Sequence, residues 1–203
     1  MKLFNSMGPN PKVVRMFMAE RGIEVELVEV DLMGAENRQA DFLKINPAGQ
    51  LPALELDDGS VLSEITVICE YLDDKAGNSS LIGTNPEERG ETRMWARRID
   101  LGILENLANG FRFAEGEALF KDRMRLIPHA AGDLKTMAQE KITWLDGQMD
   151  GKEYVCGDRF SLADVLLFVF LEFGETVGQP LNQDNKNIIA WYERVKARPS
   201  AAA

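Results

Sequence analysis

The chain has 203 residues, with 23 Lys or Arg against 33 Asp or Glu, so its formal net charge is −10. Its basic residues are interspersed with acids, and it therefore lacks the clustered positive surface that nucleic acids and anionic membranes require. Hydrophobic residues make up 45% and charged residues 28%, the balance of an ordinary globular protein. Because neither a signal peptide nor a membrane span of ~18 apolar residues is present, the sequence predicts a cytoplasmic protein.

The residues that most often bind metals or act as nucleophiles are few. Cys69 and Cys156 are far apart and lack the spacing of a zinc or redox motif, so we expect neither a disulfide framework nor a metal site. His129 is the single histidine and has no Ser or Cys partner pattern, which argues against a catalytic role.

The first third of the sequence predicts a β-α-β unit. Residues 2–5 and 25–30 are short apolar strand candidates, and residues 11–21 between them place their apolar side chains on one helical face. Asn10 is expected to cap this helix, with Pro11 at the first helical position.

A short helix, a hairpin and another helix follow. Residues 38–44 have a helical pattern, and residues 53–56 and 61–62 flank turn-forming residues, which predicts two antiparallel strands. Ser63 is expected to cap the next helix.

The sequence predicts a boundary between two domains after this helix. Residues 73–83 lose the apolar periodicity and collect Gly, Asn and Ser, which indicates domains at residues 1–77 and 85–203. The second domain is predicted to be all helical. Asn85 and Pro86 have the pattern of a helix start, and Pro128 begins or kinks a later helix.

The helix near residue 161 has the clearest start signal in the chain. Ser161 can cap it, and Asp164 can reach back as the third helical residue, which completes a capping box. Residues 166–171 are apolar on every helical face, so this helix is expected at the centre of the helical domain.

Taken in order, these patterns resemble the cytosolic glutathione transferase family. The most specific pieces are residues 46–54 (Asn-Pro-Ala-Gly-Gln-Leu-Pro-Ala-Leu), Glu64 with the helix behind it, and the capping box at residues 160–164. The resemblance covers nearly the whole chain. It implies an α/β thioredoxin-like domain that binds glutathione, followed by an all-α domain that lines the electrophile site. It also implies glutathione as co-substrate without a metal, a role in detoxification, and a homodimer.

The resemblance also implies which residues bind glutathione. Pro52 is cis in the family, so Leu51 would pair through its backbone with the cysteinyl part of the ligand. Glu64 and Ile65 match the pair that binds the γ-glutamyl end. There the helix N-terminus receives the carboxylate and the acid holds the amino group. The family usually has Ser where this chain has Ile65, so that hydroxyl contact is missing, although the backbone N–H of Ile65 survives and Thr66 could substitute.

Two further residues complete the implied glutathione site. Gln50 would hydrogen-bond the peptide, and Arg38 falls where the family often places a basic residue for the glycyl carboxylate. A solvated arginine on a short helix is the competing interpretation for Arg38.

The residue that activates the thiol is left open between two alternatives. A thiol with a pKa of ~8.5 is mostly protonated at neutral pH, so the site needs a donor that favours the thiolate. The family places Tyr, Ser or Cys just after the first strand, but residues 5–10 contain neither Tyr nor Cys. Ser6 follows the strand directly, although aligning the helix puts Gly8 at the usual serine position. Asn10 could donate its amide N–H or could simply cap the helix.

The electrophile is expected between residues 7–10 and the long helix near residues 106–112. Leu107, Phe111 and Phe113 could form apolar walls, and core packing explains them equally well. The main alternative function is a noncatalytic glutathione-transferase-like binding or interaction module, which Ile65 and the unclear activator favour. A narrower alternative is a bacterial-type transferase for ether cleavage or dehalogenation. The Ser-Ser-Cys stretch of maleylacetoacetate-type isomerases is absent.

Overall fold

The computed structural model describes residues 1–77 and 80–203, which form two compact units. One unit comprises Met1–Ile82 with Ala202–Ala203, and the other comprises Gly83–Ala201. The linker predicted between residues 77 and 85 includes Asn78 and Ser79, which lie outside the described residues. The domain limits 1–77 and 85–203 stay a prediction.

The described part of the first unit contains the strands β1 (Lys2–Asn5), β2 (Glu26–Glu29), β3 (Ala53–Glu55) and β4 (Val61–Ser63). These four strands form one mixed sheet in the order β2-β1-β3-β4. β1 is parallel to β2 and antiparallel to β3, which is antiparallel to β4. The predicted β-α-β unit and hairpin are confirmed. The helices of this unit are α1 (Pro9–Arg21), α2 (Ala40–Ile45) and α3 (Ile65–Ala76), and a 3₁₀ turn spans Glu36–Arg38.

The sheet is buried on both faces because successive residues of a strand point to opposite sides. Leu3 is fully buried, as are Phe17 of α1 and Ile68 of α3. The next residue, Phe4, packs edge-on against Phe42 of α2, with ring centroids 5.9 Å apart. Burial of each such side chain stabilises the fold by about 1.5–3 kcal/mol. Helices on both sides therefore hold the strand ends in fixed positions.

Two predicted helix caps are wrong. α1 begins at Pro9, not Pro11, because Gly8 adopts a φ of 105° and allows the chain to enter the helix two residues earlier. Asn10 therefore lies inside the first turn and does not cap the helix. Ser63 remains paired with Ala53 in β4, and Glu64 takes the cap position of α3.

The second unit is helical throughout its named elements apart from two isolated β-bridges. Its helices are α4 (Pro86–Ile99), a π-helical turn (Asp100–Leu104), α5 (Glu105–Arg112), α6 (Glu117–Phe120), a 3₁₀ turn (Pro128–Ala130), α7 (Ala131–Gln148), α8 (Leu162–Thr176), α9 (Lys186–Lys196) and a final 3₁₀ turn (Pro199–Ala202). The predicted start of α4 is confirmed, because Oδ1 of Asn85 accepts the Glu88 N–H at 2.9 Å. No helix of the described residues is long and apolar enough to cross a membrane.

The predicted capping box at the start of α8 is also confirmed. Oδ2 of Asp164 accepts the N–H and the hydroxyl of Ser161, both at 2.9 Å. Oδ1 accepts the N–H of Val155 and the indole N–H of Trp191, again both at 2.9 Å. Burial raises the pKa of Asp164 even though these hydrogen bonds favour the carboxylate. The buried run from Leu162 to Leu171 makes α8 the centre of the second unit. Together with the mixed sheet and its helices in the first unit, this confirms the predicted fold, an α/β thioredoxin-like domain followed by an all-α domain.

Candidate functional site

The predicted binding residues meet at one edge of the sheet in the first unit. Phe4 stands opposite Ala53 in the antiparallel pair of β1 and β3, and Ala53 stands opposite Ser63 of β4. Because antiparallel strands place the end of one beside the start of the next, three chain segments converge here. They are the residues after β1, the residues before β3 and the residues after β4.

The backbone before β3 offers a donor and an acceptor. The Leu51–Pro52 peptide bond is cis, as the family resemblance implied. Among the residues that the structure describes, neither the N–H nor the C=O of Leu51 has a hydrogen-bond partner. An extended peptide can pair with such groups as an additional strand does.

Two buried amide side chains hold the loop that leads to Leu51. Asn37 is 3% exposed and donates its Nδ2–H to the C=O of Gly49 at 2.6 Å. Asn46 is 4% exposed and donates to the C=O of Gln50 at 2.9 Å. Gly49 has a φ of 60°, and an added Cβ would lie 3.0 Å from the Asn37 carbonyl oxygen, so only glycine fits without strain. The side chain of Gln50 is exposed on this supported loop.

Arg38 lies beside the same loop at the end of the 3₁₀ turn. Its Nη1 is 3.4 Å from the carbonyl oxygen of Ala48, and the side chain is otherwise exposed. The guanidinium therefore places a positive charge next to the segment that precedes Leu51.

The N-terminus of α3 is open at the same sheet edge. Glu64 has a φ of 70° and a ψ of 121°, a conformation that costs a non-glycine residue about 1–3 kcal/mol and that is concentrated at functional sites. Its carboxylate is exposed and has no partner in the described part of the chain. The N–H groups of Ile65 and Thr66 are likewise unpaired there, and no side chain caps the helix. This helix end can therefore receive an anion through its N–H groups and a cation through Glu64.

Ser6 is buried and fixed by hydrogen bonds to other residues of the first unit. It is 4% exposed and donates its hydroxyl proton to the C=O of Val30 at 2.9 Å. Its own C=O accepts a hydrogen bond from Arg15 at 3.2 Å, and the same guanidinium donates to Oδ1 of Asn5 at 2.7 Å. Burial lowers the pKa of Arg15, and the nearby charge of Glu29 opposes that shift. These contacts order the loop after β1.

Asn10 occupies a different position in the same loop. It lies in the first turn of α1 and is half-buried, and its carboxamide has no hydrogen-bond partner among residues 1–77 and 80–203. The first turn contains no acidic residue, and no side chain caps it. The amide N–H groups of Asn10 are therefore available to a ligand atom.

Among the other residues considered for catalysis or for the electrophile site, the two cysteines and Leu107 are buried. Cys69 is fully buried, and desolvation raises its pKa well above the usual range. Burial also raises the pKa of Cys156. Leu107 is fully buried in the core of the helical unit, and Phe111, which is half-buried, packs edge-on against Phe173 with ring centroids 5.2 Å apart. His129 is exposed.

Three residues that support the site, Asn37, Asn46 and Arg15, were not predicted from the sequence. Asn46 precedes a proline in a turn-forming stretch, a signal that could have indicated a side chain bonded to its own loop. Asn37 and Arg15 have no comparable local pattern, because their partners lie 12 and about 10 residues away, respectively.

The first unit is thioredoxin-like, with an open helix N-terminus and unpaired backbone groups at one sheet edge, and a helical unit follows it. Two family models match the chain: the glutathione S-transferase N-terminal domain over residues 8–75 and its C-terminal domain over residues 130–199.

Individual proteins that are similar to this chain carry the same family name, and a similar solved structure has the same fold. Glutathione S-transferase 2 of Saccharomyces cerevisiae is 32% identical over 95% of this chain and 84% of its own length. Glutathione S-transferase GstA of Escherichia coli O157:H7 is 30% identical over 98% of this chain and 94% of its own. The crystal structure of Gtt2 from Saccharomyces cerevisiae covers 100% of this chain and 99% of that one, with a TM-score of 0.94 and 30% identity.

The chain belongs to the glutathione S-transferase family. This membership makes it a transferase with glutathione as co-substrate, and it does not favour the noncatalytic binding module.

Proposed function

We propose that the enzyme binds glutathione along the sheet edge of the first unit. The γ-glutamyl carboxylate accepts hydrogen bonds from the N–H groups of Ile65 and Thr66, while the carboxylate of Glu64 holds the α-amino group. The cysteinyl backbone pairs with Leu51. The observation that carries this proposal is that the three groups are unpaired and lie at one edge of the sheet.

The glycyl end of glutathione is assigned to the loop before the cis proline. Gln50 hydrogen-bonds the peptide through its exposed side chain, and Arg38 pairs with the glycyl carboxylate. Asn37 and Asn46 support this arrangement because they hold the carbonyl groups of Gly49 and Gln50.

Asn10 is the better candidate for the thiol activator. Ser6 has one hydroxyl proton and donates it to Val30, so it has no donor left for a sulfur atom. Asn10 has two amide N–H groups without a partner, next to a helix N-terminus that favours negative charge. A hydrogen bond from this amide to the sulfur stabilises the thiolate and lowers the pKa of the bound thiol.

The thiolate then attacks a hydrophobic electrophile. The thiol proton passes to solvent, the sulfur forms a bond to the electrophilic carbon, and the leaving group departs with the electron pair of the bond that breaks. Such conjugation suits an enzyme that detoxifies hydrophobic electrophiles in the cytoplasm. We expect the enzyme to be a homodimer, and light scattering would measure its mass in solution directly.

The test is an ultraviolet titration of the thiolate band of glutathione bound to the protein. We expect a bound pKa well below the ~8.5 of a free thiol. Asn10→Ala should raise it by about one unit with little change in affinity, because the amide favours only the ionised form.

Ser6→Ala is the matched control, and it should lower stability without moving the thiol pKa. An unshifted thiol pKa in the unmodified protein would refute thiol activation. A pKa that responds to Ser6→Ala and not to Asn10→Ala would transfer the role to Ser6.

A further inference from the structure

One arginine of the helical unit is half-buried and lacks a carboxylate partner in the described part of the chain. Arg112 is the last residue of α5, and it forms no ion pair with any carboxylate of residues 1–77 and 80–203. Burial lowers the pKa of Arg112, and the charge of Glu105 opposes that shift. Because a charge that leaves water without a partner loses solvation free energy, this guanidinium indicates that a group of opposite charge binds there.

A neighbouring amide holds the guanidinium in place. Oδ1 of Asn109 accepts a hydrogen bond from Nη1 of Arg112 at 3.0 Å, while Nδ2 of Asn109 donates to Glu105 at 3.1 Å. Glu105 is therefore linked to Arg112 through the amide and not by an ion pair. A guanidinium has five N–H groups, and the others of Arg112 have no acceptor among the residues that the structure describes. These N–H groups can donate to both oxygens of a carboxylate.

Aromatic rings lie beside the same guanidinium. Its central carbon is 5.7 Å from the ring centre of Phe120 in α6. Phe120 also packs edge-on against Phe111, with ring centroids 6.2 Å apart, and both rings are half-buried. An added Cβ at Gly116 would lie 2.9 Å from Cε1 of Phe111, so the glycine lets the turn before α6 approach that ring. We refer to Asn109, Phe111, Arg112 and Phe120 as the Arg112 cluster.

A second half-buried arginine of the helical unit shows what a purely structural role requires. Arg159 donates to Oγ1 of Thr92 at 2.9 Å and to the C=O of Glu88 at 3.3 Å, and it pairs with the carboxylate of Glu91 at 3.3 Å. These acceptors, one of them charged, compensate the burial of Arg159 within the fold. Arg112 has one neutral acceptor instead. The contrast indicates that the anion missing at Arg112 belongs to a ligand.

We propose that the Arg112 cluster binds an anionic group of the electrophile, so that the enzyme prefers aromatic electrophiles that carry a carboxylate. The carboxylate accepts two hydrogen bonds from the guanidinium, and the ring of the electrophile packs against Phe120 and Phe111. The cluster lies on α5, where the sequence predicts the electrophile site, and the preference therefore rests on the proposed function.

Two matched chloronitrobenzenes test the preference. The charged probe is 4-chloro-3-nitrobenzoate, and the neutral probe is 4-chloro-3-nitrobenzamide. In both, the glutathione thiolate attacks the ring carbon that carries chlorine, the sulfur–carbon bond forms, and chloride leaves with the electron pair of the carbon–chlorine bond. The thiol proton passes to solvent. We expect the rate enhancement over the uncatalysed reaction to be at least about fivefold larger for the benzoate.

Substitutions at Arg112 separate specificity from structure. Arg112→Gln should lower kcat/KM about tenfold for the benzoate and less than about twofold for the benzamide, because only the benzoate loses a charged partner. Arg112→Lys keeps the charge without the forked donor and should recover part of the benzoate rate. Arg125→Gln is the matched control, since Arg125 is an exposed arginine of the same unit, and it should change neither rate.

Two kinetic outcomes would overturn the proposal. One is an equal rate enhancement for the two probes in the unmodified enzyme. The other is an equal effect of Arg112→Gln on both probes, which would make Arg112 a structural residue. Circular dichroism verifies the fold of each variant. If Arg112→Gln does not fold, Arg112→Lys decides the question, because it should slow the benzoate reaction and leave the benzamide reaction unchanged.

An unreactive analogue distinguishes a failure of this proposal from a failure of the proposed function. Calorimetry should show that 4-methyl-3-nitrobenzoate, which has no leaving group, binds the unmodified enzyme and binds Arg112→Gln about tenfold more weakly. An unshifted thiol pKa of bound glutathione would refute thiol activation and leave this binding intact. A lowered thiol pKa together with equal binding of the analogue to both proteins would refute only the role of Arg112.

Discussion

The N-termini of α8 and α3 differ in whether their polar side chains are hydrogen-bonded. At the start of α8, Asp164 and Ser161 satisfy one another, and Asp164 also accepts hydrogen bonds from Val155 and Trp191. At the start of α3, Glu64 has a strained backbone and an unpaired carboxylate, and the following N–H groups have no partner among the described residues.

The difference separates a folding device from a binding site. A terminus whose side chains are buried and hydrogen-bonded to one another stabilises the protein and leaves no side-chain group for a ligand. A terminus with an exposed, unpaired carboxylate and no side-chain cap gives up that stability, and its unpaired groups are available to recognise charge. Changes at α8 should therefore alter stability, and changes at α3 should alter binding.

The largest expected effect is on stability at α8. Asp164→Ala removes the acceptor for the buried N–H groups of Val155, Ser161 and Trp191 and should lower the free energy of unfolding by about 3–5 kcal/mol. Urea denaturation measures this loss. Asp158→Ala, at an exposed acid nearby, should change it by less than about 0.5 kcal/mol. A loss near that of the control would show that the box contributes little.

The second effect is on binding at α3. Glu64→Ala removes the carboxylate proposed to hold the α-amino group and should weaken glutathione binding by about 2–3 kcal/mol, measured by calorimetry. Stability should stay nearly constant, because alanine meets the same backbone restriction. Glu26→Ala, an exposed acid on β2, is the control. Unchanged affinity in Glu64→Ala would exclude this role for Glu64.

The third change adds what the family usually has. Ile65→Ser supplies a hydroxyl beside the open N–H groups and should strengthen glutathione binding by about 0.5–1.5 kcal/mol. Ile65→Ala separates the gain of a hydroxyl from the loss of a large side chain, and it should give no such increase. Equal affinities in the two variants would mean that the hydroxyl does not reach the γ-glutamyl carboxylate.

The smallest expected effect is a gain in stability at residue 64, where backbone strain and glutathione binding meet in one residue. Glu64→Gly relieves the positive φ and should raise the free energy of unfolding by about 0.5–1 kcal/mol, while glutathione binding weakens as it does in Glu64→Ala. Glu64→Ala should weaken binding without that gain in urea denaturation. If both variants have the same stability, the backbone at residue 64 is not strained enough to matter.

The elements that follow from local rules were predictable. The Asn85 cap and the capping box at Ser161 each depend on residues three positions apart, and the hairpin is marked by the turn-forming residues 57–60 between its strands, so the sequence displays them directly. The start of α1 was missed because Gly8 and Pro9 compete with Asn10 and Pro11 for the same role, and only the packed structure decides between them. The supporting contacts of Asn37 and Arg15 depend on distant partners.

The π-helical turn at Asp100–Leu104 also affects how this gene product can vary in length. Such a turn holds one residue more than an α-helix would use for the same path, and each residue rotates an α-helix by about 100°. Deleting a single residue there, such as the exposed Leu101, would restore a continuous α-helical ladder and leave the side chains of α5 in their present orientation. Leu107 would then keep the core position in which it is now fully buried. A single-residue deletion in this turn should therefore be far better tolerated than one inside α5, where the residues that follow would rotate by about 100°.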